Sequence, residues 1–137
     1  MATPADALWG RGARTASRWS STTRLRTALL GLCAFAIAGA ALLGDPVPLL
    51  RADPELAILL RGMAALKAVM VIAALAVLWW RFGWPVPPRT TAVYLVAAAL
   101  LAGATTLVWQ LSALLAASAV LHAAALTMLI TASREKR

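Results

Sequence analysis

Residues 90–133, TTAVYLVAAALLAGATTLVWQLSALLAASAVLHAAALTMLITAS, decide the fold. They run for 44 positions without an Asp, Glu, Lys or Arg. As one α-helix they would extend about 66 Å, at ~1.5 Å per residue, against ~30 Å of hydrocarbon in a bilayer. The stretch must therefore turn back and cross twice. Its most polar point is Trp109-Gln110-Leu111-Ser112, which predicts spans at 90–109 and 112–132. No Gly, Pro or Asn marks the reversal.

Upstream, residues 82–89 (FGWPVPPR) read as a short loop, because Gly83 and three prolines cannot continue a helix. Before it, Asp53-Pro54-Glu55 is a helix start: Asp as N-cap, Pro in the first turn, and an acid near the positive end of the dipole. That helix runs to Trp79-Trp80-Arg81, and about 20 residues counted back from Trp80 place a span at 60–80. Residues 27–44 lie uncharged between Arg26 and Asp45 and form a first span. Its basic leader and small-residue triplets also resemble a cleaved signal peptide, but the leader is long and the apolar run continues beyond the triplets. A retained span is expected. The reading is an all-α membrane protein with four transmembrane helices in an up-down antiparallel bundle. A basic arm (1–26) precedes the 27–132 transmembrane domain, and a short basic tail (133–137) follows it.

Composition agrees. Of 137 residues, 62% are hydrophobic and 13% charged, and the mean hydropathy is +0.81. Soluble domains run near ~45–50% apolar and ~25% charged, so a soluble enzyme and a disordered chain are both excluded. The lone cysteine, Cys33, excludes an internal disulfide. Leu32 before it does not fit a lipoprotein signal.

The net charge of +8 would suggest a polyanion partner in a soluble protein. Its distribution says otherwise. The arm carries Arg11, Arg14, Arg18, Arg24 and Arg26 against Asp6; the 81–89 loop carries Arg81 and Arg89; the tail carries Arg134, Lys136 and Arg137 against Glu135. The 45–67 segment sums to zero, and the 109–112 turn is uncharged. Basic loops stay cytoplasmic, so both termini are expected inside (N-in/C-in), in a bacterial inner membrane. Trp79, Trp80 and Trp84 at one interface and Trp109 at the other read as headgroup-level anchors. The five arm arginines read as contacts to anionic lipid headgroups. No nucleic-acid motif accompanies the charge.

Helices in lipid associate through small residues that allow close approach. Stripes at four-residue spacing favour contacts by Ala36, Ala40 and Gly44 in the first span. They also favour contacts by Ala98, Ala102 and Thr106 in the third, and by Ala119, Ala123, Thr127 and Thr131 in the fourth.

Few residues carry chemistry. Lys67 lies within the hydrocarbon of the second span, and Arg61 at its outer edge. An intramembrane cation either snorkels to the surface or pairs in the bundle interior. His122, mid-span, either bonds Ser118 one turn earlier or titrates and ligates. At similar depth, Lys67 and His122 could meet. Met63, Met70, Cys33 and His122 offer soft ligands suited to copper(I), but no two form a compact motif; haem would need a second chain's His122. No cofactor is expected. No phosphate loop, HExxH, CxxC or hydrolase triad is present. The chain therefore reads as a non-catalytic accessory subunit or assembly factor of a larger membrane complex, its partners being lipids and other subunits or further copies of itself. The alternative is a small oligomeric transporter of an anion or proton-coupled solute using Lys67 and His122.

Overall fold

The computed structural model describes residues 4–44 and 53–135, with side chains from residue 22 onward. It is all-helical: α1 Pro4–Leu43, α2 Pro54–Arg81, α3 Pro88–Trp109 and α4 Leu114–Glu135. Four segments are long and apolar enough to cross a membrane, namely Thr22–Leu43 within α1 and the whole of α2, α3 and α4. The basic arm and the first span are one continuous helix, since no proline after Pro4 interrupts the run.

Local chemistry sets the helix ends. The Asp53 carboxylate accepts from the backbone N–H of Glu55 and of Leu56, both at 3.1 Å, and Pro54 opens α2 as the sequence predicts. These bonds satisfy two of the first-turn donors that a helix leaves unpaired. α2 closes on Phe82, whose N–H donates to the Leu78 carbonyl at 2.9 Å, while the Gly83 N–H donates to the Trp80 carbonyl at 3.0 Å. The reversal between α3 and α4 has the hydrogen bonds of a Schellman cap: Ser112 N–H donates to Leu107 O and Leu111 N–H to Val108 O, each at 3.1 Å. The left-handed position of this cap is Leu111, with φ 60°, and Ala113 follows at φ 45°. Glycine normally fills such sites, because a Cβ there costs roughly 1–2 kcal/mol. Leu111 is held there by burial, but Ala113 is exposed. Ala113→Gly is therefore expected to stabilise the protein by about 1 kcal/mol, visible as a higher unfolding temperature in detergent. An unchanged or lower value would refute strain at this turn.

Packing is centred on α3. Its membrane-length stretch is 44% buried, whereas those of α1, α2 and α4 are each 17% buried, so α3 is the hub and the others face outward. Three apolar clusters follow α3 along its length. The first joins Leu29, Cys33, Leu78 and Phe82 to Tyr94, Ala98 and Ala102. The second joins Val71, Leu121 and Ala124 to Leu101 and Ala104. The third joins Ala64 and Ala117 to Val108. Along this series α2 and α4 run opposite to α3, while α1 runs beside α3 in the same direction, from Leu29 near Tyr94 to Ala41 near Gln110.

Sequential helices are not all packing neighbours. α1 packs on α3, and α1 and α2 share no extended face. The reason is close approach: a Cβ on Gly103 would lie 3.4 Å from the Ala36 carbonyl oxygen, so the two helices nearly touch there. In lipid such van der Waals contact, rather than chain order, selects the pair.

The predicted small-residue stripes divide. Ala40, Ala98 and Ala102 are buried, and Ala36 abuts Gly103. The α4 stripe fails: Ala119, Ala123 and Thr127 are exposed, and α4 instead buries Ala117, Leu121 and Ala124. Threonine hydroxyls at 91, 105, 106, 127 and 131 donate to carbonyls of their own helices, which satisfies them without a partner helix.

A groove between the second and fourth helices

Because α2 and α4 both lean on α3 and share no extended face, an open groove of about 630 Å³ lies between them. α2 touches α3 through a narrow seam, burying only Ala57, Ala64, Val71 and Leu78, one residue every seven. The row beside that seam, Lys67, Ala74 and Arg81, forms one wall of the groove. Leu121, Met128 and Glu135 form the opposite wall, and Tyr94 and Leu101 of α3 line it between them.

One end of the groove is polar. Arg81 Nη2 donates to Glu135 Oε2 at 3.2 Å, and this is the one ion pair among the described residues. Tyr94 stands at the same end, with its hydroxyl directed toward Glu135. The pair is partly solvent-exposed, which limits its worth to about 1 kcal/mol. Its structural effect is to tie the ends of α2 and α4 together. Sequence reasoning placed both residues in basic cytoplasmic segments and missed the pairing. They are 54 positions apart, and only the helix-on-helix register brings them together. The helix itself runs past the predicted span end at 132, with α4 continuing to Glu135.

Lys67 marks the other end. It is half-buried and lines the groove, with Met70 at the rim. Fourteen residues separate Lys67 from Arg81, or about 21 Å along the helix. Lys67 has no hydrogen-bond or ion-pair partner among the described residues. Arg61 and Met63 are exposed on α2.

His122 makes no hydrogen bond to Lys67. Its ring is exposed on α4, with Nδ1 2.6 Å from the Ser118 carbonyl oxygen and 3.5 Å from the Ser118 hydroxyl. A carbonyl only accepts, so Nδ1 carries the proton and donates. Cys33 is buried between α1 and α3. Cys33, His122, Met63 and Met70 thus lie on three helices and do not converge. No cluster of three or more His, Cys, Asp or Glu exists among the described residues.

The tryptophans of the described side chains sit at or beside helix ends. Trp79, Trp80 and Trp84 are exposed near Arg81, and Trp109 is exposed at the far end of α3. Arg26 stacks over the Trp79 ring at 5.1 Å and lies beside Gly83, which links α1 to the end of α2. Arg24 is exposed, and Arg11, Arg14 and Arg18 belong to α1 with side chains outside the described residues. At the opposite end Gln110 Nε2 donates to the Ala41 carbonyl at 3.3 Å, satisfying one of the free carbonyls at the end of α1.

No protein-family model, curated protein or solved structure matches the chain.

Proposed function

We propose that the chain is a multi-pass protein of a bacterial inner membrane with both termini cytoplasmic. We infer that it acts there as a non-catalytic accessory subunit or assembly factor of a larger membrane complex. The observation that carries this reading is the thin internal packing of α2, which buries four of its 28 residues. Large apolar side chains such as Ile58, Leu66, Ile72 and Val77 are left pointing outward along its length. A helix that rests on its own chain through so narrow a seam gains stability from neighbours. The segregated charge supports the orientation: the basic segments share one end of the helices, and that end carries Arg26, Arg81 and the exposed tryptophans 79, 80 and 84. The arginines of α1 would then meet anionic headgroups.

The test is purification in mild detergent without crosslinking, followed by identification of stoichiometric partners. A larger assembly that loses integrity when this chain is deleted is the expected result. A chain that elutes alone and leaves every membrane complex intact on deletion would sink the proposal. The transporter reading has the place of Lys67 in the groove in its favour. It requires solute movement in proteoliposomes that Lys67→Ala abolishes.

A further inference from the structure

We propose that the groove between α2 and α4 receives a single transmembrane helix of a partner protein, and that this helix carries an Asp or Glu at the level of Lys67. The inference rests on the accessory-subunit reading and names the partner's chemistry. Three observations carry it.

The first is register. The walls present side chains in straight rows of seven-residue period, Lys67, Ala74 and Arg81 facing Leu121, Met128 and Glu135. Such rows are the seams into which a third helix inserts its own heptad side chains. The second is width. Ala74, Ala125 and Ala132 line the walls and permit the close backbone approach that helix association in lipid depends on. The third is charge. Lys67 is a half-buried cation in an apolar trough, and the ion pair at the other end already engages Glu135. With Arg81 at one edge of about 30 Å of hydrocarbon, Lys67 lies about 9 Å inside the other. A cation at that depth either snorkels outward or pairs where it stands, and a carboxylate at the same depth pairs it within the groove.

A second copy of this chain does not supply it. Among the described residues the acids Asp53 and Glu55 open α2 and Glu135 closes α4, so none of these falls at the Lys67 level in a copy of the same orientation. A phospholipid phosphate stays at the bilayer surface, whereas a helix places a carboxylate at any depth.

The experiment uses the full chain in phosphatidylcholine vesicles and a synthetic Leu/Ala transmembrane helix of about 22 residues. One peptide carries a Glu about 9 Å below its outer end, the other a Gln at that position. Association is read as energy transfer from the protein's tryptophans to an acceptor on the peptide. The Glu peptide is expected to associate roughly tenfold more tightly than the Gln peptide. Lys67→Met is expected to erase the preference, and Ala125→Trp, which fills the groove and leaves Lys67 in place, to block both peptides. Protection of Cys33 from a thiol reagent checks that each variant is folded. Equal binding of the two peptides overturns the proposal. So does a preference that survives Lys67→Met or Ala125→Trp, or Lys67-dependent contact with spin-labelled phosphatidylglycerol in place of either peptide. If an assembly co-purifies but the peptides are not distinguished, the groove assignment falls and the accessory reading stands. If the peptides are distinguished but the chain purifies alone, with every membrane complex intact on its deletion, the reverse holds.

Discussion

Phe82→Ala is expected to destabilise the protein by about 3–5 kcal/mol, the largest single-residue effect among the described residues. Phe82 is 1% exposed and is the largest fully buried side chain among the described residues. It closes the cluster in which α1, α2 and α3 meet, against Leu29, Cys33, Tyr94 and Ala98. Truncation leaves a hole at the junction, and the Arg26–Trp79 stack and the tight turn at Gly83 limit how far the helices can collapse into it. The native Cys33 reports the outcome directly. It is buried in the same cluster, so the rate of its reaction with a membrane-permeant maleimide should rise sharply in the variant. Wild-type protection of Cys33 after Phe82→Ala would show that the junction is not closed by this ring.

Gly103→Leu should have the next largest effect, about 1–3 kcal/mol, and Gly103→Ala almost none. The difference is geometric. A Cβ at Gly103 would sit 3.4 Å from the Ala36 carbonyl oxygen and 3.5 Å from the Ala36 Cβ, which is ordinary contact. Anything beyond Cβ must displace helix backbone. The larger residue therefore drives α1 off α3 along a contact that runs from Leu29 to Gln110. Again Cys33 is the probe, now as a ranking: wild type and Gly103→Ala protected, Gly103→Leu reactive. Equal reactivity of the two variants would refute close approach at this point.

Several elements were legible in the sequence for simple reasons. Asp53-Pro54 starts α2 because a short acceptor and a fixed φ act within one turn. The bond between His122 and Ser118 is likewise local, one helical turn apart. Phe82 was not legible: it stands at the head of a Gly- and Pro-rich segment that reads as loop, yet it caps α2 and packs into the core. The α3–α4 reversal fell where polarity put it, but Leu111 and Ala113 in left-handed conformations give no signal in residue type. The proposed meeting of Lys67 and His122 rested on equal depth alone. Depth does not fix rotation about the helix axis, and His122 bonds within its own helix to Ser118.

By itself the sequence determined the helical class, the four membrane-length segments and the grouping of basic residues. Each follows from properties that act along the chain: apolar length against bilayer thickness, the backbone's need for internal hydrogen bonds, and the position of each charge. Only the tertiary structure decided that α3 is the hub, that α1 pairs with it, and that Arg81 and Glu135 close one end of a groove reaching Lys67. The physical reason is that all four helices are apolar around much of their circumference. In lipid, hydrophobicity does not choose which face meets which, so the choice falls to steric fit between particular small and large side chains.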